Sequence, residues 1–130
     1  MAQDAETTDF NATYGPLLKE VFRGIARDEV AKGAEPERLA RDYAARGKPD
    51  FALAYLLVSP LPDDEKREVL ALSYDERARH TEEKAREFDR RFHRSFAMLF
   101  TEAGKDRATA KQIRAGRAVR KGAGRQLPMA

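Results

Sequence analysis

The chain has no cysteine, no tryptophan, two histidines and a single asparagine, Asn11, in 130 residues. Without cysteine there is no disulfide, no thiolate metal ligand and no thiol nucleophile. His80 and His93 lie in a densely charged stretch, with Glu76 and Glu83 within a turn of the first and Asp89 four residues before the second. That spacing shares one helical face. Acids precede bases all along this stretch, however, so the pairs read as surface ion pairs, and no metal site or cofactor is expected. Ser59, Ser73 and Ser95 are the only serines, and none stands in a Gly-x-Ser-x-Gly elbow. Gly122 and Gly124 lack the strand and helix that a phosphate loop requires. No catalytic residue is assigned, and an enzyme is not expected.

Long apolar runs are missing too. The longest uncharged stretch, Phe51 to Pro62, falls far short of the ~20 residues that cross a bilayer. The N-terminus carries Asp4, Glu6 and Asp9 rather than the basic-then-apolar order of a signal peptide. No membrane partner is expected, and a cytoplasmic location follows by default.

What the chain has is charge. Asp, Glu, Lys and Arg make up 36% of it, and Arg outnumbers Lys by 17 to 8. Residues 1–103 carry a net charge of −4 and residues 104–130 one of +7. Arg107, Lys111, Arg114, Arg117, Arg120, Lys121 and Arg125 fall within nineteen positions, with Asp106 the one acid beside them. On a helix, Arg107, Lys111, Arg114, Arg117 and Lys121 share roughly a third of the circumference. The opposite side offers only Ala108, Ala115 and Val119, so this segment is expected as a basic arm off the core. It would dock on a negative partner, nucleic-acid backbone first, through phosphate contacts that need no sequence reading.

The stretch from Ser73 to Gly104 organises the rest. Tyr74, Ala78, Thr81, Ala85, Phe88, Phe92, Ser95 and Leu99 recur at alternating steps of four and three, the spacing of one helical seam. Ser73 and Glu76 have capping-box spacing, which predicts a helix start or a kink at Ser73, and Gly104 is the predicted stop. Phe88, Phe92, Phe96, Leu99 and Phe100 are the expected core half of this helix. Tyr74, Ala78, Thr81 and Ala85 make a sparser half, whose small residues would let a second copy approach.

Upstream, Pro16 opens a predicted helix over 16–32 with Leu17, Leu18, Val21, Phe22, Ile25 and Val30 on one face. Pro36 opens another over 36–46, closed by Gly47. Pro49 starts an apolar segment read as a helix over 50–58, because its Ala and Leu residues are helix formers and no second strand exists to pair with it. Asp63, Asp64 and Glu65 supply an acidic first turn for one more.

The expected fold is all-α: a small bundle of four to five helices in which residues 16–32, 36–46 and 50–58 pack on Phe88–Phe100. Residues 1–13 would form a loose N-terminal arm, 14–104 the helical domain, and 105–130 a partly helical basic arm. The expected function is non-catalytic binding or scaffolding, with the arm on a polyanion. The alternative is a protein–protein adaptor or assembly subunit that meets an acidic protein surface or forms a homo-oligomer through Tyr74, Ala78, Thr81 and Ala85, with no nucleic-acid role.

Overall fold

A computed structural model describes residues 9–93 and 96–119. The described residues form helices and no strand, six α-helices and one 3₁₀ turn in all. The helices are α1 (Asp9–Tyr14), α2 (Glu20–Ala31), α3 (Pro36–Ala45), α4 (Pro49–Leu57), α5 (Asp63–Phe92) and α6 (Ala97–Arg114), and the turn is Gly15–Leu17. The fold is all-α as expected, with more helices than the four to five anticipated.

Proline sets several of the starts. Pro36 and Pro49 occupy the first positions of α3 and α4, where the missing N–H is no loss and the fixed φ suits the helix. Asp63, Asp64 and Glu65 fill the first turn of α5 and Arg90 and Arg91 its last, each favourable to the helix dipole.

The long helix is displaced from its predicted bounds. It begins at Asp63 and passes through Ser73 without interruption. Ser73 is fully buried and its hydroxyl donates to the Leu70 carbonyl one turn back. The hydroxyl therefore bonds within the helix instead of capping one. At the other end, His93 takes a left-handed conformation at φ 53° and its N–H donates to the Asp89 carbonyl. Gly104 does not stop the helix. It lies inside α6 in open surroundings, where an added Cβ would meet nothing within 4 Å.

Thirty residues of α5 extend roughly 45 Å, and the core sits on its first half. Val69, Leu70, Ala71 and Tyr74 join Phe10, Tyr14 and Leu18, with Ala40 and Ala44 of α3 and the run Ala52–Leu57 of α4. This corrects the expected packing on Phe88–Phe100. Phe92 is 55% exposed, and Met98 and Phe100 are exposed as well. Phe88 keeps its ring against those of Phe92 and Phe96 at 6.0 and 5.4 Å. The α2 face also differs, for Leu18 is buried but Val21 and Ile25 are exposed.

Along α5, α6 runs antiparallel. Arg114 reaches Glu68 and Asp75, whereas the earlier Arg107 reaches the later Glu82. Ala78 and Ala85 on α5, and Ala103 and Ala110 on α6, are fully buried, as close helix packing on small side chains requires. Residues 105–114 thus belong to the helical body. Asp106, Ala110 and Ile113 are fully buried, whereas the face considered in the sequence was that of Ala108, Ala115 and Val119.

The described part of the expected N-terminal arm is also anchored. Phe10, within it, and Tyr14, the residue that follows it, are each 1% exposed. The Phe10 N–H donates to Asp63 Oδ2 at 3.1 Å, and the Tyr14 hydroxyl donates to the Arg117 carbonyl at 2.8 Å. Residues 1–8 of that arm and residues 120–130 of the basic arm lie outside the described residues.

Candidate functional site

The cations singled out in the sequence separate into groups. Arg107 and Arg114 are seven residues apart and meet Glu68, Asp75 and Glu82, which are also seven apart. Positions at that interval stay on one side of a helix, so the two rows face each other along the hairpin. Arg114 donates from Nε to Glu68 at 3.1 Å and from Nη1 to Asp75 at 2.6 Å. Arg107 donates to both carboxylate oxygens of Glu82. The Glu82 hydrogen bond raises the Arg107 guanidinium above its ordinary value, and the Glu68 bond does the same for Arg114. Lys111 and Arg117 are exposed. Arg120, Lys121 and Arg125 fall outside the described residues.

Tyr74, Ala78, Thr81 and Ala85, the expected self-association seam, are all buried within the single chain, none more than 8% exposed. The close approach of small residues anticipated between two copies is made between α5 and α6.

A second set of cations converges where the sequence reading placed only solvated surface. A concavity of about 390 Å³ opens between the α3–α4 connection and the hairpin. Arg46, Gly47 and Lys48 form one wall, and Arg77, His80, Thr81 and Lys84 of α5 another, with Leu99 of α6 completing the lining. Among the described residues, no carboxylate lines it. Arg46, Lys48, His80 and Lys84 are exposed. Among the described residues, Arg46, Lys48 and Lys84 make no ion pair.

Gly47 fixes this geometry. Its φ is +69°, and an added Cβ would lie 2.8 Å from the Arg77 backbone nitrogen and 2.9 Å from its Cα. Only glycine lets the connection sit this close to α5. The two cations beside it, Arg46 and Lys48, are thereby held over the helix face that carries His80 and Lys84. Arg46 is braced further, with its guanidinium 4.4 Å from the Tyr43 ring centroid and its Nε donating to the Asp42 carbonyl. Arg77 is committed below the groove to Asp106, through bonds of 2.9 and 2.8 Å. Burial is the largest single influence and works against its charge, but the Asp106 bonds and charge, together with Tyr74 and Asp50, leave the guanidinium raised.

Such an arrangement can hold an anion. In the sequence Arg46 is inconspicuous, one charge among Glu37, Arg38, Arg41 and Asp42 in the same predicted helix. The available signal was Arg-Gly-Lys at a helix end: a closing glycine with a cation on each side. Among the described residues, no group of three or more His, Asp or Glu side chains could hold a metal ion. No described helix is long and apolar enough to cross a membrane. Comparison with protein-family models, with curated proteins and with solved structures finds no match.

Proposed function

We propose that the chain is a non-catalytic α-helical binding protein that docks on a phosphate-bearing polyanion, nucleic-acid backbone, through the groove between the α3–α4 connection and α5. The observation that carries this reading is the meeting of Arg46, Lys48, His80 and Lys84 around one concavity with no carboxylate in its lining. Arg46, Lys48 and Lys84, which make no ion pair among the described residues, are available to phosphates at little cost, because no existing ion pair must break. Arg107 and Arg114 are less available, since each already holds an acid of α5. Lys111 and Arg117 add to the positive field.

The test is anisotropy of a labelled duplex DNA titrated with the protein at several salt concentrations. If Arg46, Lys48 and Lys84 each meet a phosphate, log affinity falls with log salt at a slope of about −2.7, from about −0.9 per contact. Lys48→Glu with Lys84→Glu abolishes binding, whereas Lys111→Glu lowers it only slightly. Binding that ignores salt, or that survives the groove substitutions, overturns the reading.

A different observation favours a second reading, in which the chain assembles with another copy of itself. Phe92, Met98 and Phe100 are 55%, 54% and 39% exposed at the end of the hairpin where α5 gives way to α6. Large apolar side chains gathered at one place mark contact surfaces. Sedimentation equilibrium decides it: a concentration-dependent dimer lost in Phe92→Ser supports assembly, and a monomer at all concentrations removes it.

A further inference from the structure

A separate pocket of about 80 Å³ lies on the other side of α4, lined by Asn11, Arg23, Arg27, Ala54, Leu57 and Val58. Arg23 and Arg27 stand one turn apart on α2, and both side chains line the same opening. The Arg23 Nε is buried and has no hydrogen-bond partner. Among the described residues its guanidinium makes no ion pair. A buried N–H of this kind is rarely left unmatched. Its placement is supported by Gly15, where an added Cβ would lie 2.4 Å from Arg23 Nη2. Glycine leaves the space that the guanidinium fills.

The surroundings are positive. Asn11 donates to the Leu57 carbonyl at 2.7 Å and accepts from the buried Lys66 Nζ at 3.1 Å, which fixes the amide and puts a third cation behind it. Among the described residues, Glu20 is one partner of Arg27, at 3.3 Å, and Asp63 accepts from the Phe10 N–H. Neither lines the pocket. The remaining walls, Ala54, Leu57 and Val58, are apolar. The volume equals two to three waters at about 30 Å³ each, which is room for one oxyanion group and little else.

We infer that this pocket binds a small oxyanion, a phosphate or a carboxylate, with Arg23 donating through Nε and a terminal nitrogen as a fork and Arg27 supplying a second charge. A guanidinium that donates through Nε and one terminal nitrogen offers two parallel N–H bonds, which match a pair of anion oxygens. Asn11 and the apolar wall limit the size of what enters. This inference is independent of the groove on α5, and its failure leaves that reading untouched.

The experiment follows the Arg23 Nε–H resonance of the full chain by nitrogen-15 NMR during titration with inorganic phosphate, and in a second arm with acetate. Sodium chloride at equal ionic strength is the reference. The expected result is a saturable downfield shift of the Arg23 Nε–H in at least one arm, and the arm with the tighter response names a tetrahedral or a planar anion. A matching rise in melting temperature accompanies it, as binding to the folded state requires. Arg23→Gln removes that rise. Val58→Phe removes it as well by filling the pocket from its apolar side, and gives a second route should Arg23→Gln unfold. A shift no larger than chloride produces, or a stabilisation that persists in both variants, shows a pocket that holds water alone and overturns the proposal.

Discussion

Arg77 and Asp106 form a two-pronged ion pair 29 residues apart in sequence, with bonds of 2.9 and 2.8 Å and an Asp106 side chain wholly removed from solvent. The pair ties α5 to α6 in the interior while the Arg107 and Arg114 pairs tie them at the surface. Its fork geometry satisfies both carboxylate oxygens. Removing the guanidinium alone takes the two-pronged partner away from a buried charge. Arg77→Leu is therefore expected to cost ~3–5 kcal/mol, and Arg77→Leu with Asp106→Leu to recover most of it. Urea unfolding of the three proteins checks this. A double variant as unstable as the single one would show that the pair does more than neutralise itself.

Gly47→Ala combines two penalties. The positive φ disfavours any side chain, and the Cβ would press on the Arg77 backbone at 2.8 Å. A loss of at least ~1–3 kcal/mol is expected. Gly104→Ala, in open helical surroundings, is expected to gain ~0.5–1 kcal/mol. Paired thermal melts give the comparison, and a Gly47→Ala protein as stable as the wild type would mean that the connection does not sit against α5.

Two apolar truncations should separate core from surface. Ile113 is fully buried, so Ile113→Ala is expected to cost ~2–5 kcal/mol. Phe92 is more than half exposed, so Phe92→Ala is expected to cost under ~1 kcal/mol. Deleting residues 105–130 removes Ile113, Asp106 and the carbonyl partners of Tyr14 together, and circular dichroism is expected to show loss of the cooperative transition.

Burial lowers the pKa of Lys66 from the usual 10.5, the neighbouring Asp63 opposing. Between the lowered folded value and 10.5, the unfolded chain binds more protons than the folded one. Stability therefore rises with pH through that window and is flat below it on this account. Tyr74 acts in the opposite sense, because burial pushes its pKa to about 12. The unfolded chain loses this proton first, and the stability it lends disappears as pH climbs from 10 to 12. Lys66→Met isolates the lysine: denaturation midpoints from neutral pH to 10.5 should rise in the wild type relative to the variant. Parallel curves would place the ammonium in contact with water.

The sequence was most legible where local chemistry decides the outcome. Helices at Pro36 and Pro49, the closing Gly47 and the acidic start at Asp63 follow from backbone rules that act within a few residues. The break between α5 and α6 carries no such mark. His93 turns left-handed with no glycine or proline beside it, while the conspicuous Ser73–Glu76 spacing lies mid-helix. The pairing of the basic segment escapes local rules for a related reason. Arg107 and Arg114 look unpaired until α6 folds back and sets them against Glu68, Asp75 and Glu82, which no local rule foresees. The groove depends on the same long-range placement, since Lys84 and Lys48 are unrelated in sequence.

The hydrogen bond from Tyr14 to the carbonyl of Arg117 spans 103 positions. A ribosome adding about 5–20 residues per second makes Tyr14 roughly 5–20 s before its acceptor exists. Through that interval the Phe10 and Tyr14 rings cannot be sealed by the end of α6. The newborn chain therefore emerges as helices still open at one side and closes only when α6 folds back. Early release of a shortened chain would leave a sticky product for the cell's chaperones and proteases to clear.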